Sequence, residues 1–536
     1  MTDTEKPPTL LWRFTDPQLG LVVARPVVSR SDQNFMVIVG SGPTYDLYDP
    51  NAKTTEPGPE GRLAYRGYSN QSAKLFVFDA IKGPGTKNSG VMTIESGRPK
   101  SFIAQSFIAI APADTVRVDS NGQTQWRNVL AYFSLNQAAP DDRLLCLRST
   151  DDLDPFLNYA NPEDRCGPSS YGPYGFLDKG GVYRLNMAGD PSAWANNFKL
   201  FFEADRPISG AVNATTDPKG NVWVIFGSGR YFHDEDSRLC EGAGNVKECR
   251  LNHINYLYGI KEPRLADGSF SFGSVSDQSL TDVSNVYVYP NGSIRVLSSG
   301  GVSGSLGVPG GTVDSYANLV AYLASDKTGG YKKALHTQDA SVIDGQEIGS
   351  PNDSIYDQSN WWKGLSAEML IQQVAIANFW GQSHMAFSSF LPENVACGSA
   401  GKSYHILLDT FTGLPSPVMG SALFLAYNRT QDMVGLDSSG DKPISDHYSY
   451  AEGMNVPTTV VTTYINGQAK TAFVTTTSSG VGGGGNLRHN EKSDPLNLGG
   501  GGSSPGGSQQ AYVEPVAETP KGVVSWREVL DHSILE

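Results

Sequence analysis

The sequence predicts an all-β fold in which one unit of strands and turns is used repeatedly. The central stretch, residues 217–232, opens with an Asp-Pro-Lys-Gly-Asn turn and continues as the apolar run 222–226. It stops at Gly227, Ser228 and Gly229. Residues 34–42 repeat the end of this stretch with Gly, Ser and Gly in identical places. Two copies this far apart indicate one β unit that recurs along the chain.

Composition agrees with many short strands joined by turns. The 536 residues include 59 Gly and 32 Pro, while only 18% are charged. A single ring of sheets can be this long, although length alone would suggest several domains. The net charge of −14 argues against a nucleic-acid partner, which needs a basic face.

The recurring unit is a strand ending in Gly-Ser-Gly, a loop, and a strand ending in Asp before a turn. Further strands are predicted at 21–28, 75–79, 128–134, 181–186, 255–260, 384–390, 403–409 and 470–476, with a short helix at 316–324. This makes about five units, which is the pattern of a β-propeller. Long loops at 135–180, 230–254 and 300–360 interrupt the spacing, and loops of that length commonly carry function.

Four segments follow from this reading. Residues 1–9 form an N-terminal tail, 10–479 the propeller body, 480–510 a Gly-rich linker, and 511–536 a segment expected to dock back on the body. Docking is expected because Trp526 would otherwise lie in solvent. No apolar run is long enough to span a membrane, and residues 1–8 do not resemble a signal peptide. The chain is therefore expected either to stay in the cell or to belong to a longer exported product.

The five cysteines suggest local staples. Cys240 with Cys249, and Cys146 with Cys166, each bracket a loop-like segment, and Cys397 is left over. Local pairs in loops are typical of disulfides in an oxidising compartment, and free thiols are the alternative.

Candidate chemistry is limited to acidic turns. Asp234 with Asp236 and Asp437 with Asp441 are candidate calcium ligands, because hard cations need several carboxylate or carbonyl oxygens. The calcium-like loop at Asp119 offers only one carboxylate. Solvated turns are the alternative for all three. Residues 397–403 end like a phosphate-binding loop, but Ala396 replaces its first glycine and a strand follows.

Four passages resemble the C-terminal propeller region of the PilY family, the type IV pilus tip-associated adhesins and biogenesis factors. They are residues 11–14 with Leu19, Gly20 and Pro26; 226–232; 389–392 with Cys397, Gly401 and Ser403 through 408–413; and 525–528. Their order is similar to that of the family. By this resemblance, the family's signal peptide and opening blades are expected to be missing before Leu10, and the Asp119 loop to have lost most of the family's calcium ligands.

The resemblance implies a quinoprotein-like propeller with long loop insertions and an incomplete ring. It implies a non-enzymatic component of the pilus tip, on the cell surface or extracellular, that acts in adhesion to host or abiotic surfaces and in assembly with minor pilins. An N-terminal PilY-type partner or precursor fragment would complete the ring; strands hidden in the long loops are the alternative. Two other functions stay open: a quinoprotein-like enzyme and a scaffold propeller of the cell envelope. The enzyme would typically have an adjacent cysteine pair, which is absent here.

Overall fold

The computed structural model shows a series of small sheets, whose strands pair antiparallel except for one parallel pair in the third blade. The residues that it describes are 10–31, 34–44, 67, 69, 71–109, 116–118, 124–126, 130–137, 179–187, 191–232, 236, 254–267, 269–298, 301–335, 368–379, 382–392, 401–419, 435–444, 446–452, 454, 458–465, 468–476 and 508–512.

Two four-stranded sheets come first, and we call them blades 1 and 2. Blade 1 has the order β1-β2-β3-β4 and blade 2 the order β10-β9-β8-β5. Their strands are β1 (Val27–Ser31), β2 (Asn34–Gly40), β3 (Lys74–Asp79), β4 (Met92–Glu95), β5 (Ser101–Ala109), β8 (Leu130–Gln137), β9 (Lys179–Asn186) and β10 (Phe198–Ala204). A two-stranded ribbon, β6 (Val116–Val118) with β7 (Thr124–Trp126), lies between β5 and β8 in the chain.

Three more blades follow in chain order. Blade 3 has the order β11-β12-β13-β20-β14, blade 4 the order β21-β22-β23-β24, and blade 5 the order β25-β26-β27. Their strands are β11 (Asn213–Thr216), β12 (Val222–Gly227), β13 (Asn255–Lys261), β14 (Leu280–Asp282), β20 (Gly330–Leu335), β21 (Ala375–Phe379), β22 (Gln382–Pro392), β23 (Gly401–Asp409), β24 (His447–Glu452), β25 (Thr459–Ile465), β26 (Gln468–Thr476) and β27 (Ser508–Tyr512).

An insertion between β14 and β20 adds a small lobe to blade 3. It contains one α-helix, α1 (Tyr316–Leu323), which begins at an N-cap where the Ser315 side chain accepts the Asn318 N–H. Its strands are β15 (Val286–Val288), β16 (Ile294–Ser298), β17 (Gly301–Ser303), β18 (Leu306–Val308) and β19 (Gly311–Val313). Part of the predicted long loop at 300–360 is therefore ordered β structure and helix.

Period-two alternation explains how the blades stack. In blade 1, Val27, Ile38 and Val77 point to one side and share an apolar core with Ile103 and Phe133 of blade 2. The first strand of blade 2, β5, adjoins the first strands of blades 1 and 3, and the first strands of blades 4 and 5 adjoin each other. Face-to-face sheets whose first strands adjoin form a propeller-like, all-β fold, as the sequence predicts.

Most predicted elements are found close to their expected positions. The predicted strands at 34–39, 75–79, 255–260 and 403–409 correspond to β2, β3, β13 and β23, and the predicted helix to α1. The strand predicted at 21–28 is wrong in extent, because β1 begins only at Val27. Leu21 instead donates its N–H to Pro43. No described helix is long and apolar enough to cross a membrane.

Candidate functional site

The repeated Gly-Ser-Gly motif is the point at which one blade meets the next. Ser228 donates its N–H to the Tyr256 carbonyl at 2.8 Å, and its Oγ accepts the Tyr256 N–H at 2.8 Å. In the first copy, Ser41 makes the same two bonds with Lys74, at 2.8 and 2.9 Å. The serine hydroxyl thus takes over the acceptor role of a ladder carbonyl where the strand ends.

The carbonyl of each serine then joins the neighbouring blade. Ser228 accepts the Leu370 N–H at 2.9 Å, and Ser41 accepts the Ile103 N–H at 2.8 Å. The flanking glycines are needed for this approach, since an added Cβ at Gly227 would lie 2.3 Å from the Leu370 side chain. The sequence repeat is therefore a structural joint that recurs from blade to blade.

Residues 230–232 extend the joint to two further regions. Arg230 pairs through Nε with Asp236 Oδ1 at 3.0 Å, and its Nη1 donates to the Gly67 carbonyl at 2.9 Å. The Phe232 ring packs edge-on against Phe102 of blade 2, with centroids 5.6 Å apart. Tyr231 packs against Phe390 of blade 4 at 5.1 Å. One short segment thus contacts blades 2 and 4 from the end of blade 3.

A buried polar cluster lies beside this joint. The Ser228 hydroxyl also donates to Asn255 Oδ1 at 3.3 Å, and Asn255 Nδ2 donates to the Glu368 carbonyl at 2.9 Å. The Glu368 carboxylate accepts a short hydrogen bond from Ser389 of blade 4. All of these side chains are buried. The cluster satisfies polar groups at the meeting of blades 3 and 4, which buried groups require.

The predicted calcium ligands that the structure describes make other hydrogen bonds and ion pairs. Asp236 is buried in the Arg230 ion pair, and its Oδ2 accepts the Phe232 N–H at 2.6 Å. Asp437 and Asp441 share one turn, in which Asp437 Oδ1 accepts the N–H groups of Ser439 and Asp441, both at 2.8 Å. These bonds are those of a local Asx turn.

Asp234 lies outside the described residues, as do Asp119 and all five cysteines, Cys146, Cys166, Cys240, Cys249 and Cys397. Among the residues that are described, no group of three or more His, Cys, Asp or Glu side chains is arranged to hold a metal ion. Calcium binding and the two disulfides stay predictions.

A buried ion pair missed by sequence reasoning joins blades 2 and 3. Arg184 of β9 donates through Nη1 to Glu262 Oε1 at 2.5 Å, and through Nη2 to the Phe272 carbonyl. Both charged side chains are essentially inaccessible to solvent. Burial raises the pKa of Glu262 to about 7, against the opposing effects of Arg184 and the Tyr132 hydroxyl. Nothing in the spacing of these residues signals the pair, because they are 78 positions apart.

Blade 4 contains a serine–histidine pair that resembles part of a hydrolytic site. Ser388 Oγ and His405 Nδ1 are 2.9 Å apart on facing strands. Both side chains are buried, and burial lowers the pKa of His405 to about 4. A neutral histidine within a sheet can hydrogen-bond a serine, but its ring is closed off from substrate. The pair is best described as a packed polar contact.

The blade 3 insertion meets a second insertion from blade 4, and together we call them the insertion lobe (residues 283–323 and 435–446). Ile444 donates its N–H to Val288 at 2.8 Å, and the Tyr289 hydroxyl donates to the Gly435 carbonyl at 2.8 Å. The strands β17 to β19 lie at its surface, where Val302 is 43% exposed. The insertion lobe therefore presents short strands to solvent that are not part of any blade.

Comparison with known proteins adds little to these observations. No protein-family model and no curated protein matches the chain. Among solved structures, it aligns with Trypanosoma rangeli sialidase in complex with sialic acid at 9% identity and a TM-score of 0.16. The alignment covers 86% of this chain and 53% of that one, so the chain spans about half the length of the sialidase structure. The propeller-like description therefore depends on the sheets themselves.

Proposed function

We propose that this protein is a non-enzymatic binding component of a type IV pilus tip, acting in surface adhesion and in pilus assembly with minor pilins. The proposal is supported by the resemblance of four passages to the PilY family. One contact in the structure is the strongest support for this proposal. Tyr231 and Phe390 belong to two of these passages, 159 positions apart, and their rings pack at 5.1 Å. Passages chosen from sequence alone thus come together at one joint between blades.

The matched passages account for the scaffold, so binding is assigned to the parts that they do not include. Fold and function are separable, and function is commonly placed on loops carried by a rigid scaffold. The insertion lobe fits this role, because its core packs on blades 3 and 4 while β17 to β19 face solvent. Exposed short strands offer backbone N–H and C=O groups to a partner strand. Pilins would be bound there.

A binding experiment tests the proposal. The purified chain should bind a minor-pilin complex, and Val302→Asp should weaken that binding at least tenfold without changing the melting temperature. Ile81→Asp, at an exposed apolar position in the turn after β3, is the control and should bind as the wild type does. Unaltered binding by Val302→Asp would show that pilins do not bind at the insertion lobe. Quinone-dependent dye reduction by the purified chain, with no pilin binding, would favour the enzyme alternative.

A further inference from the structure

Blade 1 has a second apolar side, on which no other blade packs within the described part of the chain. We call it the open face, and it consists of Val28, Arg30, Phe35, Val37 and Phe78. Val28 pairs with Val37, and Val37 with Phe78, so these side chains share one side of the sheet. This is the side opposite to the one that packs on blade 2. Its composition is that of a surface made to be buried between two layers.

Only half of the open face is covered by described residues. Trp12 packs edge-on against Phe78 with centroids 4.9 Å apart, and its Nε1 donates to the Ala80 carbonyl at 2.8 Å. Phe14 packs on Phe76 and Phe78. The half formed by β1 and β2 is different, because Val28 is 57% and Phe35 48% exposed. Large apolar side chains grouped in this way mark a binding surface.

The rim of the open face is basic. Arg13, Arg25 and Lys82 are exposed and lie in the segments that adjoin this face, and the Arg30 guanidinium lies 5.8 Å from the centre of the Phe35 ring. Of the nearby acids, Asp79 accepts the N–H groups of Ile81 and Lys82. A complementary occupant is therefore apolar along one side and acidic at its edges.

Residues 513–536 have this chemistry. They contain five acidic residues (Glu514, Glu518, Glu528, Asp531 and Glu536) and two basic ones (Lys521 and Arg527), a net charge of −3. Val523, Val524, Trp526, Val529 and Leu530 supply a dense apolar stretch. The protein as a whole has a net charge of −14, so a group of basic residues at its surface is uncommon.

The chain path also favours this segment. The blades follow one another in chain order, and the segment comes directly after β27 of blade 5. The eleven residues from Tyr512 to Val523 can span up to about 36 Å, more than the radius of gyration of about 24 Å expected for a compact chain of this length. A span of this length connects neighbouring blades, so the segment can reach the first blade where that blade lies beside the last one in the ring.

We propose that residues 523–530 dock on the open face of blade 1, with Trp526 placed beside Phe35 and Val28. Docking removes apolar surface from water on both sides and places Glu528 and Asp531 near the basic rim at Arg25. It completes blade 1 from within the same chain, in the position that a preceding blade would occupy. The inference does not depend on the proposed pilus function.

Photo-crosslinking in the full-length chain tests the contact directly. A photoreactive benzoylphenylalanine placed at Phe35 should crosslink to residues 522–536 of the same molecule, as mapped by mass spectrometry on the monomer band. The same group at Val302, on the insertion lobe, is the control and should not reach that segment. Crosslinks from position 35 to a second copy or to other parts of the chain would overturn the proposal.

Limited trypsin digestion adds a readout that does not depend on labelling. Cleavage after Arg527 should be slow in the wild type and at least tenfold faster in Phe35→Asp and in Trp526→Ala. Val302→Asp should cleave at the wild-type rate. Equal cleavage rates in all four proteins would overturn the docking. Trp526→Ala keeps the test valid if Phe35→Asp disturbs the blade, because residue 526 lies outside blade 1.

Discussion

Two contacts between neighbouring blades are made by different kinds of side chain. Blades 2 and 3 are joined by the Arg184–Glu262 ion pair, which is buried from solvent. Blades 3 and 4 are joined by aromatic rings that fit against glycines. There, Tyr331 lies between Gly259 and Gly413, where an added Cβ would stand 2.3 and 2.4 Å from its ring.

The comparison shows where the fold is sensitive. A buried ion pair gains little over an apolar pair of the same shape, but it is costly to break on one side only. A ring between glycines depends on shape, and it tolerates loss of its polar atom better than any added volume. The first joint should therefore respond to charge and pH, and the second to volume.

The largest effect is expected for added volume at the joint of blades 3 and 4. Gly227→Val would place its Cβ 2.3 Å from Leu370, and we expect little soluble protein and no cooperative melt. Gly220→Ala is the matched control. Gly220 has a positive φ of 81° and nothing lies within 4 Å of an added Cβ, so the cost there comes from backbone strain alone and should be only about 1 kcal/mol. Similar losses in both variants would mean that crowding against Leu370 does not explain the motif.

A broken charge pair should come next. Arg184→Met leaves the Glu262 carboxylate buried without its guanidinium and should lower the free energy of unfolding by about 3–5 kcal/mol. The double variant Arg184→Met/Glu262→Leu should recover most of that loss, because neither partner is then a buried charge. Chemical denaturation of the three proteins measures this. A double variant no more stable than Arg184→Met would show that the pair is needed for more than charge balance.

The same joint should make stability depend on pH. The folded-state pKa of Glu262, about 7, lies above the ordinary value of 4.5, so its contribution is present below pH 4.5 and is lost as pH rises through 7. Glu262→Gln removes this contribution, and the stability difference between wild type and variant should fall by about 3 kcal/mol at most over that window.

Denaturation curves at several pH values check this prediction. His384 and His405 of blade 4 oppose the trend, because burial lowers the pKa of each to about 4 and their contribution is lost as pH falls below 6.5. Comparison with Glu262→Gln cancels the histidine effect. A difference that is constant between pH 4.5 and 7 would contradict the assignment.

The smallest effect is expected for the polar atom at the joint of blades 3 and 4. Tyr331→Phe loses one hydrogen bond, from the hydroxyl to the Thr410 carbonyl at 2.9 Å, and should cost about 1 kcal/mol. Tyr331→Ala empties the space between the two glycines and should cost about 3–5 kcal/mol. Thermal melts compare the two. Equal losses would show that the hydrogen bond, and not the ring, joins the blades.

The sequence alone determined the local structure of this protein. Short apolar runs bounded by turn residues predict β2, β3, β13 and β23, because strand propensity and the needs of tight turns act over a few neighbours. The repeat of Gly-Ser-Gly likewise predicts a recurring β unit, and in the structure Ser41 and Ser228 make the same bonds. The extent of β1 was not predicted, since the chain before Val27 is fixed by a bond to the distant Pro43.

Only the tertiary structure decided which distant residues meet. Arg184 and Glu262 carry no spacing signal, because their pairing depends on the stacking of blades 2 and 3. Asp236 and Asp437 look alike in sequence, yet one pairs with Arg230 in the interior and the other closes a surface turn. The open face of blade 1 is likewise decided by the tertiary structure. The continuous apolar run of β2 predicts two apolar sides for the strand, but only the packing of sheets decides which side is covered.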